Sequence, residues 1–354
     1  MASTLDPYLR AAGPLWSAMK ERVLVLDGAM GSMLQGYALV EADFRGDRFA
    51  DHPSPLQGAN DVLVLTRPDV VAAVHLAYLQ AGADLIETNT FGANSVALAD
   101  YGLAAIAYEL NVAAARVACG AVAALRAAGD QRPRWVLGAL GPTPRSASLS
   151  PNVDDPGDRN ISFEELVQCY GEQARGLLDG GVDGLIVETV FDTLNAKAAL
   201  FAIEGLYEAR AAQGLPRLPT LVSGTITDAA GRTLSGQTPA AFWRSVSHAP
   251  LAVAGLNCAL GAAAMRPFLE EIAEATPLPT LVYPNAGLPN ELGEYDDDAA
   301  AMAAVIGEFA RSGLVNLVGG CCGTTPAHIA AMAQAVAGVA PRRRWSHERP
   351  SSLR

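Results

Sequence analysis

At 354 residues, half of them hydrophobic and 18% charged, the chain has ample apolar surface to bury, which excludes a disordered protein. A formal net charge of −12, with no basic run beyond Arg342-Arg343-Arg344, repels a phosphate backbone and argues against a nucleic-acid partner. The N-terminal stretch MASTLDPYLRAAGPLWSAMKER lacks an apolar core of signal-peptide length, and no later segment offers about 18 uninterrupted apolar residues, so a soluble, cytoplasmic protein without a membrane partner is expected.

Residues 1–22 read as an N-terminal extension, either an extra helix or a plug. From Val23 onward, short β-branched runs alternate with longer Ala- and Leu-rich stretches, the pattern of parallel strands joined by crossover helices. VLVLDGAMG from Val23 precedes a helix over 69–81, LIETNTF from Leu85 a helix over 103–128, and WVLGALGP from Trp135 a helix over 163–178. GLIVETV from Gly184 is followed by a helix over 194–212, then by TLVSGTIT from Thr220. VAGLNCA from Val253 leads into a helix over 265–275, TLVYPNAG from Thr280 into one over 298–311, and LVNLVGGCCG from Leu314 is the last run. Gly82, Gly180-Gly181 and Gly313 stand where these helices should end.

Eight strand–helix units over 23–340 predict an α/β fold, a single (β/α)8 TIM barrel, rather than an open doubly wound sheet, which more often starts with a Gly-rich phosphate loop. No G-x-G-x-x-G or Walker pattern is present. The stretch 143–162, rich in Pro, Ser, Asp and Asn, is long for a strand-to-helix loop and is expected to cover the barrel mouth. Residues 341–354 read as a solvated, flexible tail.

Chemistry in such a barrel gathers at the C-terminal ends of the strands. Here those ends carry Asp27, Glu87, Asn89, Glu188, Thr225, Asn257, Cys258, Asn285, Cys321 and Cys322. Five cysteines, an odd number in a large chain, suit reduced thiols better than a disulfide framework. Cys258 ends the sixth run, and Cys321 and Cys322 end the eighth between Gly319-Gly320 and Gly323, so three thiols converge on one mouth. Catalytic zinc takes three protein ligands and keeps a fourth position open, which this set matches. The same spacing equally fits a small core residue at Cys258 beside a coincidental or vicinally bonded pair, since no close C-x-x-C marks the site. Cys119 and Cys169 fall within helices and read as structural, and His328 reads as a surface or capping residue. Asp27 and Glu188 put carboxylates on the same rim, where they either bind an ammonium group or cap neighbouring helices; Glu87 fits both.

The segments LDGAMGSMLQ, AGADLIETNTFGA, GPTPRSASLSPNVDDPGDRNI, VETVFDTLNAKAA, SGTITDAAGRTLSGQT, GLNCALG, YPNAGLPNELGEYD and VGGCCGTTPAHI cover nearly the whole chain from Val23 to Gly338. Together the chain resembles the homocysteine-binding, zinc-containing domain of cobalamin-dependent methionine synthase. The resemblance implies a zinc-dependent homocysteine S-methyltransferase in which Cys258, Cys321 and Cys322 are both the Zn2+ ligands and the catalytic residues. It implies that Asp27 and Glu188 hold the homocysteine amino group, that backbone amides around Gly28 and Ala29 hold its carboxylate, and that Asn285 is the resting fourth zinc ligand.

The methyl group would come from methylcobalamin, ultimately from methyltetrahydrofolate, on a cobalamin- and folate-binding partner polypeptide or domain, and the chain would be a split subunit. An excised fragment and a stand-alone homocysteine methyltransferase using S-methylmethionine or betaine are the alternatives. SGTITDAAGRTLSGQT and the Pro-Asn-rich loop resemble the cobalamin branch more closely. A reading of another class is a zinc- or thiol-binding, redox-sensing barrel without turnover.

Overall fold

The computed structural model describes residues 13–228, 230–289 and 295–343. Eight parallel strands run β1 (Leu24–Val25), β2 (Leu85–Glu87), β3 (Trp135–Leu140), β4 (Gly184–Val190), β5 (Thr220–Gly224), β6 (Val253–Gly261), β7 (Thr280–Asn285) and β8 (Leu317–Val318). Each pairs with its sequence neighbour from β2 through β8, and β8 pairs back onto β1. The ring closes through a parallel bridge between Leu26 and Leu85, where the Asp27 amide donates to the Leu85 carbonyl at 3.0 Å. The predicted (β/α)8 barrel is the fold.

Alternation along each strand divides the apolar residues into two cores. Leu24 and Leu26, Leu137 and Ala139, and Leu281 and Tyr283 pack with one another inside the barrel. Val25, Val136 and Val282 face the surrounding helices instead. Helix Gly13–Glu21 places Leu15 and Met19, one helical turn apart and fully buried, into the interior core. Each such side chain contributes about 1.5–3 kcal/mol by leaving water. Tyr283 belongs to the same core and also lines the cavity at the mouth.

The crossover helices form the outer layer. Helix Ala107–Ala127 lies in a stretch long and apolar enough by composition to cross a membrane, but it packs on β3 and on helices Pro68–Ala81 and Phe163–Gly180. Its buried stripe of Leu110, Ala114, Ala118 and Ala121 recurs at helical spacing. Helix Phe163–Gly180 starts at a capping box, with the Glu165 amide donating to Ser162 Oγ and the Ser162 amide to the Glu165 carboxylate. Gly82 and Gly181 are left-handed C-caps, as their positions in the sequence suggest.

Two expectations are corrected. The stretch 143–162 does not close over the central cavity as a lining element, for none of its residues lines it. It folds onto the start of helix Thr193–Ala212, where Ser146 Oγ donates to Asp192, the Ala147 amide to Asn195 Oδ1 at 3.0 Å, and Asn195 Nδ2 to the Arg145 carbonyl at 2.8 Å. The solvated tail does not begin at residue 341. Arg342 is buried, and its guanidinium donates to the carbonyls of Ala273, Thr276 and Leu278, acceptors that the end of helix Ala262–Ala275 leaves open. Residues 344–354 lie outside the described residues.

His75 is fully buried on helix Pro68–Ala81, with neither ring nitrogen hydrogen-bonded, and burial lowers its pKa to about 4. The unfolded chain therefore takes up a proton near pH 6.5 that the folded protein refuses until about pH 4, so this residue removes stability as the pH falls through that window. His75→Leu should be less acid-sensitive than wild type by about 2–3 kcal/mol when denaturant unfolding at pH 4.5 is compared with pH 7. Parallel losses in both proteins would contradict the assignment.

Candidate metal centre and substrate cavity

Cys258 lies in β6 where the pairing with β7 slips. Asn257 pairs with Tyr283 and Gly261 with Asn285, so four steps on β6 oppose two on β7. Within this bulge Cys258 adopts a left-handed backbone, φ 61°, costly for a residue with a side chain and typical of functional sites. The Gly319–Cys322 segment extends β8 beyond its last ladder pair. Gly320 donates to the Asp27 carbonyl, Cys321 to the Pro284 carbonyl and Cys322 to Asn285 Oδ1. The next residue, Gly323, has φ +79°, and an added Cβ would lie 2.3 Å from the Tyr295 ring, so only glycine fits.

These two turns bring the three Sγ atoms together. Cys258 and Cys321 each stand 4.0 Å from Cys322, and all three lie within 4.8 Å of one another. A tetrahedral ion with bonds of about 2.3 Å needs sulfurs about 3.8 Å apart, so the trio fits a metal with small adjustment. Thiols this close cannot all ionise alone. Hydrogen bonds from Cys258 and Cys321, with another from Tyr295, pull Cys322 down to about 3, whereas hydrogen bonding with Cys258 and Cys322 pushes Cys321 well up.

Asn257, fully buried beside Cys258, ties this cluster to the acids. Its Oδ1 accepts from the Thr189 amide at 3.0 Å and from Ser223 Oγ at 2.7 Å. Its Nδ2 donates to Thr189 Oγ1 at 2.8 Å and faces Cys321 Sγ at 4.0 Å. Thr189 is also left-handed, φ 54°, at a one-residue bulge in β4, and the preceding residue is Glu188.

Asp27 and Glu188 are 3% and 6% exposed and line the same cavity of about 430 Å³ as the thiols. Burial raises Asp27 well above the carboxylate range, with the Glu188 charge adding to it. Glu188 is raised to about 7 by burial, although the Tyr283 hydroxyl donates to its Oε2 at 3.2 Å. Gly28 must be glycine, because a Cβ there would lie 2.6 Å from Thr324 Oγ1 and 2.9 Å from the Tyr78 ring. The Ala29 amide, expected to face a substrate carboxylate, already donates to Thr324 Oγ1 at 3.1 Å. Helix Met30–Gln35 begins at the next residue, and its Gly31 and Ser32 amides, which no helical carbonyl reaches, border the cavity.

The structure thus brings together Asp27, Gly28, Ala29, Glu188, Cys258, Cys321 and Cys322 on one cavity and sets Asn285 behind Cys322. Cys119 and Cys169 stay in their helices, and His328 caps helix Pro326–Val336 through Thr325. Sequence reasoning had no signal for Tyr283 and Tyr295, and saw Asn257 only as a polar strand end.

Fold and site together define a barrel enzyme whose mouth gathers three thiols and buried acids around one cavity. A homocysteine S-methyltransferase family model matches residues 24–336, and the chain belongs to that family of methyltransferases. Two solved structures of the homocysteine methyltransferase MmuM from Escherichia coli are similar to it. The oxidized form is 27% identical with a TM-score of 0.68 over 92% of this chain and 98% of that one. The metallated form is 27% identical with a TM-score of 0.65 over 92% and 99%.

Cys321→Ala should fail to retain one equivalent of divalent metal against a competing chelator, while Cys119→Ser retains it. Asn257→Ala, which removes the clamp behind the cysteines, should weaken metal binding about tenfold with the fold intact by circular dichroism. Full retention in Cys321→Ala would remove the trio as a metal centre.

Proposed function

We propose that the protein transfers a methyl group to the sulfur of homocysteine, giving methionine, with Zn2+ held by Cys258, Cys321 and Cys322. The observation that carries this reading is three sulfurs within 4.8 Å opening onto a cavity that, among the described residues, is lined by acids and by no Lys, Arg or His. Zinc in that cradle supplies the positive charge that holds the substrate thiol, with a reference pKa of about 8.5, as a thiolate near neutral pH.

The chain's own residues orient the substrate. Asp27 and Glu188 take the ammonium group. Gly28 leaves room for the carboxylate beside Ala29 and the first-turn amides of helix Met30–Gln35, and Asn285, whose Oδ1 accepts from the Cys322 amide, would serve as the resting fourth ligand on giving up that bond. With the amino acid fixed at both ends, its sulfur forms the S–CH3 bond as the methyl–donor bond breaks in line, and the leaving group departs with the electron pair.

For the donor we favour methylcobalamin on a partner polypeptide or domain. A cavity of about 430 Å³ is too small to enclose a corrin together with homocysteine, so such a donor meets the sulfur across the mouth. Tyr37, Val40, Phe91, Val153, Leu234 and Leu288 are exposed in the loops that follow the strands, where a partner would sit. A second reading, a small onium donor such as S-methylmethionine or betaine, is favoured by Asp61, a further cavity acid raised to about 6 by burial. None of the five cysteines is in a disulfide, and we place the protein in the reducing cytoplasm.

Zinc-loaded protein should convert homocysteine to methionine with free methylcobalamin and show no turnover with S-methylmethionine or betaine. Turnover with those small donors and none with methylcobalamin would overturn the donor assignment. Metal and homocysteine binding without methionine from any donor would favour the non-catalytic thiol-binding barrel.

A further inference from the structure

The cavity is lined by Asp27, Asp61, Glu87 and Glu188, and among the described residues no basic side chain lines it to balance them. Asp27, Glu87 and Glu188 stand at the ends of β1, β2 and β4, and among the described residues none of the three is in a salt bridge. Two have partners. Asp27 Oδ2 accepts from the Glu87 amide at 3.1 Å, and Glu188 Oε2 accepts from the Tyr283 hydroxyl at 3.2 Å.

Glu87 differs, because its Oε1 is buried and accepts no hydrogen bond. An orphaned acceptor calls for a partner, and since Glu87 lines the cavity a bound ligand is in a position to supply one. Burial raises Glu87 well above the carboxylate range, and the Glu188 and Asp27 charges both add to the shift, so it lies within electrostatic reach of each. A cation bound between Asp27 and Glu188 therefore also faces Glu87.

We infer that Glu87 is the third carboxylate of a cradle for the α-ammonium of homocysteine, and so a determinant of specificity for thiols that carry a primary amine. The inference rests on the proposed placement of that amino group between Asp27 and Glu188. A primary ammonium offers three N–H donors, and three strand ends offer three acceptors. Replacing one hydrogen by a methyl group, or omitting the amine, leaves one of these largely buried carboxylates without its charged partner. The main chain of Glu87 has a separate duty, its amide holding Asp27, and a side-chain substitution leaves that bond in place.

The test is calorimetric binding to the zinc-loaded full chain of two thiols, homocysteine and 4-mercaptobutanoic acid, which keeps the thiol and carboxylate but lacks the amine. Glu87→Gln should weaken homocysteine about 10- to 100-fold, the worth of one hydrogen bond to a charged group, and change 4-mercaptobutanoic acid by less than about threefold. Glu87→Asp, which keeps the charge on a shorter arm, should recover part of the preference. Equal weakening of both thiols in Glu87→Gln, or no change for either, overturns the cradle. Failure of both thiols to bind the wild-type protein overturns the homocysteine reading itself and the cradle with it.

Discussion

Three sulfur atoms held within 4.8 Å, at a cavity that no basic side chain among the described residues lines, impose a charge problem on the barrel mouth. Alone, the trio shares its ionisation unevenly, with Cys322 pulled down and Cys321 pushed up. A divalent cation held by the three thiols would remove the conflict by letting all of them ionise, and a site with three protein ligands would keep one position for the substrate sulfur. The acids at the same mouth repeat the logic, since burial raises Asp27, Glu87 and Glu188 together on one cavity, and the proposed ammonium end of the substrate would supply the cation they lack.

The fold meets these demands with local strain on a rigid frame. Cys258 and Thr189 both sit in left-handed backbone at bulges, each costing about 1–3 kcal/mol, and Asn257 links the two so that thiols and acids are set as one unit. On the opposite side of the centre, Thr324 accepts from the Ala29 amide and donates to the Cys321 carbonyl, joining the β1 turn to the cysteine turn. The interior core beneath, plugged by Leu15 and Met19 and reaching up to Tyr283, keeps these turns from shifting.

Much of this was legible in the sequence, because period-two and helical patterns report which face a residue occupies. Eight alternating units gave the barrel and put Cys258, Cys321 and Cys322 at strand ends, but the spacing fitted a core cysteine beside a vicinal pair equally well, and it was the family resemblance that selected the metal-binding set. What patterns do not report is which neighbour a residue touches. Asn257 looked like one polar strand end among many, yet it bridges two strands. The Ala29 amide was expected at the substrate but lies against Thr324, almost 300 residues away in sequence. The loop 143–162 was expected to cover the cavity because loops of its length often do, whereas it binds Asp192 and Asn195 at the start of the helix after β4 and lines no part of the cavity.

The most direct measurement of the central idea is X-ray absorption at the zinc edge, recorded with and without homocysteine. Three sulfur neighbours at about 2.3 Å and one lighter atom should become four sulfurs when the amino acid binds. A first shell that homocysteine leaves unchanged, or one that keeps three protein sulfurs after Cys258→Ala, would contradict it.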